Sequence, residues 1–231
     1  MAIKTKHITQ TIWIITLMIV PLYGCEYDSS LTNDVTGQID TLVDIDGNKY
    51  NTIGIGTQIW MQENLKVTHL ADGSKITLLE QNTDWLNRNL NIAAYCWYDN
   101  DSINNKPTYG GLYNFFTVET GLICPTGWHV PSQAEWKMLV DYLGGKEVAG
   151  GKLKDYSGSY WTSPNHCIEN NFGFVGLPGG YRTSRTGLFN GKGYGGSWWE
   201  NRISKEDSSK SLKLSVASSE HNISESYFLK K

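Results

Sequence analysis

Pro131-Ser132-Gln133-Ala134-Glu135-Trp136-Lys137-Met138-Leu139-Val140-Asp141-Tyr142-Leu143-Gly144-Gly145 decides the fold class. Ser132 followed three residues later by Glu135 is a capping box, in which each residue satisfies the other's backbone N–H. Trp136, Leu139, Val140 and Leu143 recur at helical spacing and define one apolar face. Gly144-Gly145 stops the run. The stretch predicts one helix over about 132–143 that buries this face.

Nothing else in the chain has that period. Upstream, apolar alternation on either side of Asp46-Gly47 predicts a hairpin. Asp44, Asp46 and Asn48 imitate the opening of an EF-hand loop, but Ile55 stands where its closing acid belongs, which favours a plain turn. Ile59-Trp60-Met61 and the aromatic run Tyr95-Cys96-Trp97-Tyr98 read as strands, and 112–116 as a helical turn. Trp85, Leu86 and Leu90 suit a short helix. Downstream the chain is broken by glycine as far as residue 196. Strands are predicted over 172–177, from Tyr181-Arg182, over 212–216 and at 227–229, with a polar loop over 204–210. Strands predominate, with one clear helix over about 132–143 and long Gly-rich loops.

The first residues are of another kind. Lys4 and Lys6 precede an apolar run over residues 12–20, and Leu22-Tyr23-Gly24-Cys25 follows. The run matches a secretory h-region of roughly 7–15 residues and is short of the ~20 needed to span a bilayer. A cysteine after a small residue resembles a bacterial lipobox. That resemblance implies cleavage before Cys25, lipidation of Cys25, and a place in the cell envelope on the outer membrane; the alternative, since Tyr23 stands where a small residue is usual, is a soluble secreted protein cut nearby. Residues 1–24 then form the signal peptide, 25–40 the lipidated cysteine and tether, and 41–231 the domain. The polar composition of 26–36 suits a flexible tether.

The chain of 231 residues carries a net charge of −3, and losing the leader's two lysines makes it −5. Nucleic acid is excluded as a partner, because phosphate neutralisation needs clustered Lys and Arg. Nine Trp, 13 Tyr and 24 Gly describe a core closed by large rings between Gly-rich loops. Most of these rings belong to the core. An oxidising compartment permits disulfides, and Cys96, Cys124 and Cys167 allow one bond with one thiol left over. No nucleophile elbow, zinc-protease motif or zinc-spaced Cys/His cluster is present, so no enzyme activity and no catalytic residue is expected.

The segments Asp46-Gly47-Asn48-Lys49-Tyr50, Trp60-Met61-Gln62-Glu63-Asn64-Leu65, Tyr95-Cys96-Trp97-Tyr98-Asp99-Asn100-Asp101, Tyr109-Gly110-Gly111-Leu112-Tyr113-Asn114, Cys124-Pro125-Thr126-Gly127-Trp128-His129-Val130-Pro131-Ser132 and Gly173-Phe174-Val175-Gly176-Leu177-Pro178-Gly179-Gly180-Tyr181-Arg182 resemble, in this order, the Fibrobacter succinogenes major paralogous domain. Trp198-Trp199 extends the likeness. The resemblance implies an α+β fold related to the C-type-lectin-like and formylglycine-generating-enzyme group, with twisted antiparallel strands, a few helices and long loops, in an envelope lipoprotein. That enzyme group's cysteine pair is not matched here. The family's closing Gly-Phe-Ser-Val-Arg-Cys strand is replaced by Ser224-Glu225-Ser226-Tyr227-Phe228-Leu229. The resemblance therefore leaves three options for Cys124: a bond to Cys167, a bond to Cys96, or a free thiol.

Two sets of residues are candidates for binding. Trp97, Tyr98, Tyr181, Arg182, Trp198 and Trp199 lie beside Gly-rich or polar loops and suit an aromatic platform for a glycan or an extracellular protein. The neighbours Trp198 and Trp199 should face opposite sides of a strand, and Arg182 could equally anchor a loop through a buried carboxylate. Asp99, Asn100 and Asp101 gather oxygens that calcium could use, although such a turn is satisfied by its own backbone. The expected function is non-catalytic ligand binding at the envelope. The alternatives are a structural surface or fibre subunit and, behind it, a formylglycine-generating-enzyme-like catalyst.

Overall fold

The computed structural model describes residues 1–5, 35–37, 39–87, 91–162, 170–203, 210–217 and 223–229. Cys25, most of the tether, Leu90, the 204–209 loop and Cys167 lie outside the described residues. Four strands form the first sheet: β1 (Ile3–Thr5), β2 (Ile39–Val43), β3 (Lys49–Ile55) and β4 (Gln58–Met61), in the antiparallel order β1-β4-β3-β2. The β2–β3 hairpin turns at Asp46-Gly47, as its sequence predicts. Asp44 is the hub of the turn, accepting the Asp46 and Asn48 N–H groups at 3.0 and 2.9 Å and the Tyr50 hydroxyl at 2.6 Å. The other EF-hand-like carboxylate, Asp46, is engaged from outside the turn, its Oδ2 by Thr68 N–H and its Oδ1 by His69 Nδ1 at 2.6 Å. The folded part begins earlier than residue 41, since Val35 is buried and its N–H donates to Gly56 O at 2.7 Å.

The middle of the chain alternates short strands and helices: β5 (Thr77–Leu78), α1 (Asn82–Leu86), β6 (Ala94–Cys96), α2 (Ser102–Tyr109), β7 (Leu112–Tyr113) and α3 (Phe115–Glu119). β5 and β6 are parallel, whereas β6 and β7 are antiparallel. Then come α4 (Gln133–Tyr142), α5 (Lys146–Leu153), the β8 (Gly179–Arg182) and β9 (Phe189–Lys192) pair, and a last antiparallel sheet of β10 (Gly195–Ile203), β11 (Lys210–Ala217) and β12 (Ile223–Leu229). The structure combines several small sheets with five short helices among the described residues, consistent with an α+β or mostly-β class. The altered tail completes the last sheet, pairing with β11 from Ile223 to Leu229.

Helix α4 has its capping box. Ser132 N–H donates to Glu135 Oε2 at 2.8 Å, and Glu135 N–H donates to the Ser132 hydroxyl at 3.3 Å. Trp136, Leu139, Val140 and Leu143 are buried, with the Trp136 ring 4.8 Å from that of Trp60. Helices α2 and α5 are not legible in the residue pattern, although the resemblance implies a few helices. Asp101, read as part of a turn, caps α2 by accepting Asn104 N–H at 3.0 Å. α5 contains Gly150-Gly151, which lowers helix propensity, but Ala149 and Leu153 sit in the core and tertiary packing prevails. The strand expected over 172–177 is instead irregular, with an isolated parallel bridge between Gly176 and Lys154.

Glu135 also meets His129, Oε1 to Nε2 at 2.8 Å. Burial raises the Glu135 pKa, but the Ser132 and His129 hydrogen bonds outweigh it and leave the carboxyl below its ordinary 4.5. The stabilisation is thus complete above about pH 4.5 and is lost as pH falls through the lowered folded value. A Glu135→Gln chain keeps a residue able to complete the box. Urea unfolding at pH 6 and at about pH 3 is expected to show a smaller acid-induced loss in Glu135→Gln than in the parent. Equal losses would refute this role.

The core has two parts. Trp60, Trp136, Phe174 and Trp198 centre one, and Tyr50, Tyr95, Trp97 and Phe115 the other. Trp60, Trp97, Trp136, Trp161 and Trp198 are buried, while Trp85, Trp128 and Trp199 are half-buried. Most of the rings therefore do serve the core.

Candidate functional site

Between the two parts of the core a cavity of about 760 Å³ opens to the surface. β8 and β10 form one wall and the 109–114 segment another, with Asn64-Leu65 and Trp85 beside them. Two glycines allow this wall to form. Gly180 has φ +66°, and a Cβ there would lie 2.5 Å from Asn190 O and 2.6 Å from Lys192 N. A Cβ at Gly196 would lie 2.6 Å from the Trp198 ring and 2.7 Å from Leu177 O. Bare backbone at these points lets β9 close on β8 and lets the Trp198 indole lie along its own strand.

Trp198 and Trp199 take opposite faces of β10, as strand geometry requires. Trp198 belongs to the first part of the core, and Trp199 packs against the second. Both line the cavity, because it lies where the two parts meet. Each indole is pinned by its N–H. Trp198 donates to Asn64 Oδ1 at 2.9 Å and Trp199 to Tyr113 O at 2.8 Å. Asn64 is itself held by donating to Tyr109 O at 3.0 Å. Tyr181, 43 % exposed, also lines the cavity.

Arg182 also lines the cavity, but its donors point into the protein. Nε donates to Gly187 O at 2.8 Å, Nη1 to Leu79 O at 2.7 Å, and Nη2 to Glu80 O and Asn82 Oδ1, both at 2.8 Å. The guanidinium lies 4.7 Å from the ring centres of both Trp85 and Phe189. Arg182 is thus an anchor tying β8 to the 79–82 segment, through carbonyls rather than a carboxylate.

Four of the six aromatic-platform candidates therefore meet at one place: Tyr181, Arg182, Trp198 and Trp199. Trp97 and Tyr98 do not. Both are buried, Trp97 edge-on to Tyr95 at 5.1 Å and Tyr98 5.3 Å from Phe189. Asp99, Asn100 and Asp101 form a tight turn with φ of 52° at Asp99 and 55° at Asn100. Its side chains do not converge. Asn100 donates to Glu80 O, and both Asp101 oxygens receive Asn104. Those Asn104 bonds hold the Asp101 carboxyl below its usual range. Among the described residues no group of three or more His, Cys, Asp or Glu could hold a metal ion.

Cys96 and Cys124 are free thiols in the core, so the proposed bond between them does not form. Burial pushes the Cys96 thiol up to about 11 and that of Cys124 up to about 12. A thiol so raised stays protonated and is a poor nucleophile near neutral pH. Among the described residues that line the cavity there is no Cys, His, Asp or Glu.

Sequence reasoning passed over Tyr109, Trp85, Asn64 and Arg185, all of which line the cavity. Tyr109-Gly110-Gly111 carried the one usable signal, since glycines beside a ring allow close approach. Gly110 shows it, for a Cβ there would sit 2.4 Å from Leu65 O. Among the described residues no helix is long and apolar enough to cross a membrane.

A family model described as the Fibrobacter succinogenes major domain matches residues 53–230. No curated protein and no solved structure matches the chain.

Proposed function

The chain belongs to the Fibrobacter succinogenes major domain family, and from that membership and the cavity we propose a non-catalytic glycan-binding module, anchored to the outer membrane through lipid on Cys25, with a C-type-lectin-like architecture. The observation that carries this proposal is the cavity of about 760 Å³ lined by Trp85, Tyr109, Tyr181, Trp198 and Trp199. Its size lies within the usual range for small-ligand sites, roughly 300–1,000 Å³. Flat rings suit the apolar faces of sugars. They are also rigid, so little entropy is lost on binding.

The polar groups at the rim support the same ligand class. Thr183, Ser184, Arg185 and Thr186 line one side of the cavity, and Arg185 is exposed. Hydroxyls and a guanidinium suit the hydroxyl edges of a sugar. Among the described residues the lining holds no Cys, His, Asp, Glu or Lys, which leaves tyrosines as its proton-transfer groups and no charged base to activate a hydroxyl; this favours binding over catalysis. Calcium has no role in this proposal, since the oxygens around Asp101 are engaged by Asn104.

Glycan-array screening of the purified protein is expected to give retained oligosaccharides. Against the best of them, Tyr181→Ala should bind roughly 5- to 30-fold more weakly, the loss of one aromatic contact of about 1–2 kcal/mol. Because Tyr181 is exposed, the melting temperature should stay within about 2 °C of the parent. Silence across the array, or undiminished binding by Tyr181→Ala, would overturn the proposal.

A further inference from the structure

Residues Met1–Thr5, read from sequence as the start of a leader, occupy a slot in the first sheet. β1 lies antiparallel to β4, with Ile3 opposite Trp60, Lys4 opposite Ile59 and Thr5 opposite Gln58. On its other side the 129 loop closes over it. Ile3 N–H donates to His129 O at 2.9 Å, His129 N–H donates to Ile3 O at 3.1 Å, and Met61 N–H donates to Ala2 O at 3.0 Å. Ala2 and Ile3 are both 0 % exposed, Ala2 within one part of the core and Ile3 within the other. Met1 continues into the wall of the aromatic cavity. Cleavage before Cys25 removes all of this. It strips the Met61 and His129 backbone groups of their partners and leaves an apolar hole beside Trp60. Buried backbone groups are rarely left unpaired, and a vacated core site of this size is costly.

The cut chain cannot refill the slot with its own tether. The tether re-enters the fold at Val35, whose N–H donates to Gly56 O, on the far side of the β3–β4 hairpin from β1. Three strand spacings, about 14 Å, separate the two edges, and crossing them takes at least about four residues. The places of Ala2 and Ile3 would then fall on a consecutive pair no later than Asp28-Ser29. Every such pair after the cleavage point contains Glu26 or Asp28. A carboxylate there would be buried without a partner.

Resting on the cleavage reading above, we propose that removal of the leader opens a strand-acceptor slot between β4 and the 129 loop, and that an extended segment of a partner protein, bearing a small residue followed by a β-branched aliphatic one, adds there. The seated segment Met1-Ala2-Ile3-Lys4-Thr5 is the template for that occupant. Backbone bonding on both edges gives affinity, and the small–branched pair gives selectivity, as in other strand additions.

The test uses the processed lipoprotein extracted from its membrane, with its N-terminus established by mass spectrometry, and a labelled Met-Ala-Ile-Lys-Thr peptide. Fluorescence anisotropy is expected to show saturable binding. The same peptide with Ile3→Asp should bind at least tenfold more weakly. Unprocessed Cys25→Ser protein, its slot filled in cis, should not bind. Peptide addition should also slow hydrogen exchange at the Met61 and His129 amides of the processed form. A correctly processed chain that ignores the peptide would overturn the slot while leaving the anchor reading intact. A native chain that still carries Met1 would overturn both, because the strand would then be permanent.

Discussion

Arg182→Met is expected to unfold at a temperature about 10 °C below the parent in a thermal scan. The side chain is buried and makes four hydrogen bonds, three of them to the carbonyls of Leu79, Glu80 and Gly187. A hydrogen bond to a charged group contributes about 1.5–3 kcal/mol, and an orphaned buried acceptor costs about as much again. Such terms are not additive within one network, so a net loss of about 3–5 kcal/mol is a fair expectation for this mutant. Methionine fills the space between Trp85 and Phe189 but satisfies none of the carbonyls. Arg182→Lys should not rescue the loss, since an ammonium lacks the planar fork that reaches two backbone segments at once. A shift under about 2 °C would show that the anchor contributes little. The same substitution should also weaken glycan binding, because Trp85 and β8 would no longer be held at the cavity.

Trp60→Ala should be at least as damaging, by about 3–5 kcal/mol. The ring is fully buried, lies 4.8 Å from Trp136 and 6.1 Å from Phe174, and its strand carries β1. Its cross-strand neighbours Ile3 and Ile53 are β-branched and the rings of Trp136 and Phe174 are rigid, so the close-packed surroundings can fill the void only in part. Trp60→Phe gives the control. The Trp60 Nε1 is buried with no hydrogen-bond partner among the described residues, so losing it forfeits no bond and the cost should be clearly smaller than that of alanine. Denaturant unfolding of the two mutants checks the order. Equal losses would mean that the void is not the cause.

The parts of this fold that were legible in sequence are those whose signal is local. The Ser132–Glu135 box and the apolar spacing after it describe α4 almost to the residue, because cap and face lie within one helix. Asp46-Gly47 marked its hairpin for the same reason. Helix α2 was hidden because Asp101, Ser102 and Asn104 are turn formers as well as cappers. α5 was hidden by Gly150-Gly151, whose helix exists through the packing of Ala149 and Leu153. At the site, the opposed faces of Trp198 and Trp199 followed from strand geometry, but their convergence on one cavity did not. That convergence depends on how the two parts of the core meet. Arg182 shows the limit most plainly. Its partners lie about a hundred residues away and are backbone carbonyls, which no side-chain pattern reveals. Residues 1–5 reversed the usual difficulty, since a segment that reads as a leader also fits a strand slot.

The central claim is that the aromatic cavity holds a glycan, and a crystal structure of the protein with its best array-selected oligosaccharide tests it most directly. The account predicts a sugar ring between Tyr181 and Trp199, with its hydroxyls towards the 183–186 rim. An oligosaccharide bound elsewhere on the molecule, with this cavity unoccupied, would contradict it.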